Sequence, residues 1–120
     1  MTQNAQDIDF ELLFRAQKNE TLLLIDGGMC HYHCRKDGQC TIRVLISTKS
    51  GAGSSMLKTV IERAEQKGMS FLLAVCPADL ASNKWYKNKG FVLDHTKNSK
   101  TGRLLNVWTL SLSKKGFNLN

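Results

Sequence analysis

The chain has 120 residues, enough for one domain with its own hydrophobic core and too few for two. Hydrophobic residues make up 42% and charged residues 22%, close to a soluble globular average, which excludes a wholly disordered chain. Seventeen Lys and Arg against ten Asp and Glu leave a formal charge of +7, which points to an anionic partner: a phosphorylated cofactor, a nucleic acid or an acidic protein. The apolar runs at 22–25, 44–46 and 71–76 fall far short of the roughly 20 residues a membrane span needs, so no membrane role is expected. Residues 1–10 are polar and acidic, without the basic stretch and apolar core of a signal peptide. The expected location is therefore the cytoplasm, with Cys30, Cys34, Cys40 and Cys76 as reduced thiols.

Residues 7–18 read as a helix, because Ile8, Leu12, Leu13 and Ala16 recur at helical spacing. Asp7 and Asp9 at its start and Arg15 and Lys18 at its end suit the helix dipole. Residues 21–25 read as a strand and Asp26-Gly27-Gly28 as a turn. Two further strands, 29–36 and 40–47, flank Asp37-Gly38, a hairpin signal. The second of them is rich in β-branched residues and reads as central. A glycine-bearing loop, 47–53, leads into a helix to about residue 67. Ala52, Met56, Leu57, Val60, Ile61 and Ala64 form its apolar face, and Lys58 and Glu62 pair on the other.

Residues 70–76 read as a buried strand that the only proline, Pro77, forbids from continuing. Asp79 or Ser82 is a candidate cap for a short helix that runs to Lys89. Residues 91–95 and 104–112 read as a terminal strand pair joined by the loop 96–102. The expected fold is α/β: a mixed sheet of about six strands, with antiparallel hairpins flanking a parallel strand-helix-strand crossover, and about three helices. One domain, 1–112, precedes a basic tail, 113–120.

Two segments carry chemical information. In Lys49-Ser50-Gly51-Ala52-Gly53-Ser54-Ser55, two glycines before a helix N-terminus let backbone amides approach a phosphate, and Lys49 adds a cation. The segment is neither a Walker loop nor the dinucleotide fingerprint, and a tight turn before a core helix has the same composition. The second segment is Ser82-Asn83-Lys84-Trp85-Tyr86-Lys87-Asn88-Lys89-Gly90-Phe91. Read alone, it is a helix ending at a glycine, with Trp85 and Phe91 as core and Tyr86 at an interface.

In this order the two segments resemble the GNAT superfamily of acyl-CoA-dependent N-acyltransferases, over about residues 21–112. The family's pyrophosphate loop, Q/R-x-x-G-x-G/A, falls on residues 48–53, and its small-Asn-x-aromatic-Tyr-x-x-x-Gly-Phe helix falls on residues 82–91. Thr48 stands where the family has Gln or Arg, and one N-terminal helix is expected where members commonly have two. The wording at 76–80 and 105–108 also resembles small acetyltransferase-like proteins of phages.

The resemblance implies acetyl-CoA as co-substrate and no metal. It implies that the third and fourth strands splay around a pantetheine arm. The main chain of Leu45, Ile46 and Ser47 would face that arm. Lys49, Ser50, Gly51, Ala52, Gly53 and Ser54 would hold the pyrophosphate, Asn83 would reach the pantetheine, and Tyr86 would act as general acid. The family's usual glutamate base is absent, since residues 41–47 contain no carboxylate. His31, His33, Asp26 and a water chain are the candidates that remain. The two histidines share one strand face and titrate near neutrality.

The segment Cys30-His31-Tyr32-His33-Cys34 has metal-ligating residue types, but strand alternation puts the thiols and imidazoles on opposite faces. The thiols would stand roughly 13 Å apart, too far for one zinc ion. Arg43, in mid-strand among apolar neighbours, either pairs with an acid or points into the acceptor site. The expected activity is transfer of an acetyl group from acetyl-CoA to a primary amine in a ternary complex. The acceptor is a small molecule, an acidic protein or a nucleic acid, and the protein a monomer or homodimer. The alternatives are an inactive binding module on the same fold and a nucleic-acid-binding protein of another fold.

Overall fold

The computed structural model describes residues 21–113. Among them the elements are β1 (Leu22–Ile25), β2 (Gly28–Cys34), β3 (Gln39–Ser47), α1 (Ala52–Gln66), β4 (Phe71–Pro77), α2 (Ser82–Asn88), β5 (Val92–Asn98) and β6 (Leu104–Ser111). The strands form one sheet in the order β1-β2-β3-β4-β6-β5. Only β3 and β4 are parallel, and α1 is the crossover between them. This is the mixed six-stranded architecture expected from the sequence. The described residues hold two helices; the helix expected at 7–18 and most of the basic tail lie outside them.

Strand alternation selects the core. Cys30 and Tyr32 of β2, Cys40 and Ile42 of β3, Leu72 and Ala74 of β4 and Trp108 of β6 point to one face. There they meet Met56, Leu57, Val60 and Ala64, the apolar stripe of α1, together with Tyr86 of α2. Arg63 of α1 donates to the Tyr32 hydroxyl at 3.0 Å, a polar tie between helix and sheet.

Several boundaries differ from expectation. β2 ends at Cys34 and β3 begins at Gln39, so the turn widens to residues 35–38, closed by the Arg35 amide on the Gln39 carbonyl. β5 runs on to Asn98, so the hairpin loop shrinks to residues 99–103, closed by the Ser99 amide on the Arg103 carbonyl. Pro77 is the last residue of β4 rather than the residue after it. Its place has a physical reason. The Ala78 amide donates to the Leu104 carbonyl, so by antiparallel alternation the Pro77 nitrogen points away from β6, where no ladder bond is lost. Neither Asp79 nor Ser82 caps α2: the N-cap is Ala81, without a side-chain bond. Asp79 pairs instead with Arg103, and the Ser82 hydroxyl lies 3.2 Å from the Cys76 sulfur.

Candidate active site

The parallel pairing of β3 with β4 runs from Gln39 opposite Phe71 to Ile42 opposite Ala74 and then stops. β3 continues to Ser47 beside β2, and β4 continues to Pro77 beside β6. The strands fork at this point, and the cause is visible in the register. Val44 lies opposite His31 and Ile42 opposite Tyr32, so Arg43 is an extra residue, a β-bulge that bends β3 away. A cleft of about 630 Å³ fills the fork, at the carboxyl ends of the two parallel strands.

The walls of the fork carry free backbone groups. The Thr48 amide donates to the Gly27 carbonyl at 2.7 Å, which sets the phase of the β2–β3 ladder. By alternation, Leu45 and Ser47 direct N–H and C=O toward the cleft and Ile46 directs its own toward β2. The same argument from Ala78 turns the backbone of Val75 into the cleft from the other side. A row of donors and acceptors thus faces the gap, ready to pair with an extended ligand as a sheet edge pairs with a strand.

At one end of the gap is the N-terminus of α1. The loop before it is moored to the β1–β2 turn: the Thr48 hydroxyl also donates to the Gly27 carbonyl, at 3.2 Å, and Lys49 forms an ion pair with Asp26. Gly51 turns the chain at φ +86°, a left-handed conformation that side chains disfavour. α1 has no side-chain cap and no acid in its first turn. The amides of Gly53 and Ser54 have no acceptor among the described residues. The helix dipole adds to these free donors, so this end favours an anion. A Cβ at Gly53 would stand 3.3 Å from the Trp85 ring, so glycine lets α1 and α2 approach across the cleft.

At the other end is Tyr86. Its ring packs edge-on against Trp85 and Phe91, with centroids 5.1 and 5.2 Å away. Burial, followed by the neighbouring Cys76 and Cys30, pushes its hydroxyl up to about 12, so it stays protonated at neutral pH. The hydroxyl has no partner among the described residues, yet no buried polar side-chain atom among them lacks one. It therefore opens on the cleft, which Tyr86 lines.

The sequence-predicted residues divide accordingly. Leu45, Ser47, Lys49 and Ser50 line the cleft, as do Gly51, Gly53, Ser54 and Tyr86. Ile46 lies on the opposite face of the sheet, 39% exposed, and Ala52 is buried. Asn83 stands behind the wall with its amide fully engaged. Nδ2 donates to the Pro77 and Leu80 carbonyls, both at 2.8 Å, and Oδ1 accepts from Asn106 at 3.0 Å and Trp108 at 2.8 Å. His31 and His33 are on the sheet face away from α1. His31 is half-buried, and its affinity for a proton is lowered by burial, then by Arg43, then by His33. Cys34 and Cys40 face each other across the hairpin, sulfurs 3.1 Å apart.

Sequence reasoning missed the apolar walls, chiefly Val75, Leu80, Ala81 and Trp85. The one available signal was Pro77, which marks where β4 no longer pairs with β3.

No family model matches the chain, and neither does any curated protein. Solved structures do. Ard1 of Thermoplasma volcanium superposes with a TM-score of 0.77 at 12% identity, over 93% of this chain and 85% of that one. The ribosomal-protein-S18-alanine N-acetyltransferase of Escherichia coli gives 0.67 at 19% identity, over 92% and 81%. A Bacillus anthracis protein described as a streptothricin acetyltransferase, in complex with acetyl coenzyme A, gives 0.66 at 15%, over 72% and 56%. At these identities the likeness is one of fold, and the fold of this chain is that of the GNAT acetyltransferases.

Proposed function

We propose that the protein is an N-acetyltransferase that moves an acetyl group from acetyl-CoA to a primary amine within one ternary complex. The observation that carries the reading is the fork. Its free backbone groups run from the uncapped N-terminus of α1 to the hydroxyl of Tyr86. The residues present suit acetyl-CoA: loop and helix amides with Lys49 for phosphates, and Leu45, Ser47 and Val75 for the amides of an extended arm. Acetyl-CoA supplies an activated acyl group. The amine nitrogen forms the new N–C bond as the C–S bond breaks.

The protein's own groups manage two protons. Tyr86 holds its hydroxyl proton toward the cleft, where it stabilises negative charge on a leaving sulfur. With a hydroxyl at about 12, well above an ordinary thiol near ~8.5, it serves chiefly as a hydrogen-bond donor. On the amine side we assign His31 as proton acceptor, through water. Burial and Arg43 keep it neutral at physiological pH, whereas His33 is exposed. Asn83 acts as a positioning residue that fixes α2, and with it Tyr86, against β4 and β6.

The charge of +7 supports an anionic acceptor, protein or nucleic acid included. The cytoplasm is the proposed site of action, and the likeness to phage proteins rests on residues 76–80 and 105–108 alone. The second reading, an inactive binding module, draws on Thr48. Its hydroxyl is occupied by the Gly27 carbonyl rather than free for a phosphate.

Thermal unfolding with acetyl-CoA, CoA and NAD tests the proposal. Ligand at about 100 times its Kd adds about 2.7 kcal/mol, which raises Tm by about 10 °C in a domain of this size. The expected result is a shift with both CoA species and none with NAD. No shift with either CoA species would overturn the reading.

A further inference from the structure

Arg43 occupies a singular position. As the bulge residue it has no partner in β2, and pairing with β4 has ended one residue earlier, at Ile42. It therefore stands at the apex of the fork, where it is one of the residues that line the cleft. Of the four arginines among the described residues, Arg35 pairs with Asp37, Arg103 with Asp79, and Arg63 donates to Tyr32. Arg43 has no such partner among the described residues. The described acids are engaged elsewhere. Asp26, Asp37 and Asp79 each pair with another cation, Asp94 pairs with His95, and Glu62 and Glu65 belong to α1 on the other face of the sheet.

We propose that Arg43 selects the acceptor: its guanidinium holds a carboxylate or phosphate borne by the amine substrate. The inference rests on the acetyltransferase reading and names its substrate class. Three arguments support it. First, Arg43 is not part of the anion site at α1. Four residue steps along β3 carry its backbone to Ser47, a span of roughly 13 Å, so the two sites suit separate anions. Second, a planar guanidinium without an internal carboxylate matches a carboxylate or phosphate with two parallel hydrogen bonds, a fit lysine cannot reproduce.

Third, the charge has a consequence for the reaction. A cation beside the reacting centre favours the neutral amine, which is the nucleophile, over the ammonium. It also repels a simple cationic amine on approach. An acceptor with its own anionic group escapes that repulsion, because the anion pairs with the guanidinium. Arg43 already exerts this effect on His31.

The test uses matched primary amines: β-alanine against propylamine, and phosphoethanolamine against ethanolamine. Each is titrated into the full-length protein saturated with CoA, so that no turnover occurs. Binding is followed by the side-chain 15N signal of Arg43 and by thermal shift. The anion-bearing members should move the Arg43 signal and bind at least about tenfold more tightly than their counterparts without an anion, the size of a charge-assisted hydrogen bond. The carboxylate and phosphate arms show which anion is preferred. R43Q should lose the preference while its acetyl-CoA thermal shift is retained, and R43K should keep part of it. Equal binding of the pairs, no binding of either anion at millimolar concentration, or a preference that survives R43Q would overturn the inference. In those cases an intact acetyl-CoA shift leaves the acetyltransferase reading standing. Loss of the acetyl-CoA shift in the wild type brings down both.

Discussion

Residues 40–42 of β3 are paired on both flanks, with β2 and with β4, whereas residues 44–47 are paired with β2 alone. The first half buries Cys40 and Ile42 in the core; from the bulge onward, Arg43, Val44 and Ile46 are exposed. One strand thus serves two purposes, divided by a bulge of one residue. Where both neighbours are hydrogen-bonded, the strand contributes stability. Where one neighbour leaves, backbone groups that would cost about 1–3 kcal/mol each if buried unpaired face a solvent-filled cleft instead. They remain available to a ligand. The fork converts ordinary sheet backbone into a binding edge without any special side chain.

The comparison can be broken most decisively in the paired half. Leu72 of β4 is fully buried opposite Cys40 and does not line the cleft. Leu72→Ala should cost about 2–5 kcal/mol. In thermal unfolding that is a loss of about 10 °C or more, with the stabilisation by acetyl-CoA preserved. If the ligand effect disappeared at temperatures where the variant is folded, the two halves would not be separable.

The next effect belongs to the open half. Tyr86→Phe removes a hydroxyl that has no partner among the described residues, so Tm should move little while kcat falls about 10- to 100-fold. Steady-state kinetics at saturating acetyl-CoA decide this, and an unchanged kcat would remove Tyr86 from the chemistry.

His31 sharpens the contrast through pH. Its proton affinity is lowered from the ordinary 6.5, so the folded protein keeps it neutral down to a more acid pH. A base must be neutral to accept a proton, and activity should therefore fall as pH drops through a midpoint below 6.5. His31→Asn should abolish that acid limb in a kcat/KM profile and lower the rate. A profile that keeps the limb would return the role to Asp26, His33 or a water chain.

The smallest expected effect is at Lys49. Its pair with Asp26 is exposed on both sides, so Lys49→Ala should change stability by less than about 1 kcal/mol. Acetyl-CoA affinity should drop by about tenfold or less at low salt, and by less still as salt screens the cation. Calorimetric titration at two ionic strengths measures both. Asp26→Asn, which frees Lys49, should shift affinity slightly the other way.

Much of the fold was legible in the residues because it is written locally. The apolar stripe of Met56, Leu57, Val60 and Ala64 specifies α1, and the Asp37-Gly38 turn between β-branched runs specifies the β2–β3 hairpin. Gly51 ahead of α1 and Gly53 in its first turn marked a helix start with free backbone amides. Asn83 shows where such reading fails. Its position in a helix is evident, but two of its four hydrogen bonds reach Asn106 and Trp108, 23 and 25 residues away. No local pattern announces that its amide is committed. Pro77 misled by one residue for the same reason, since its cost depends on which flank of β4 is paired.

The residues alone settled the order of strands and helices, the crossover and the glycine loop, because each follows from periodicity and turn chemistry within a few positions. The fork, the bulge at Arg43, the occupied amide of Asn83 and the pairing of Lys49 with Asp26 were decided only in the tertiary structure. Register and pairing depend on which distant strand lies alongside, and a bulge shows itself only when two strands are counted against each other.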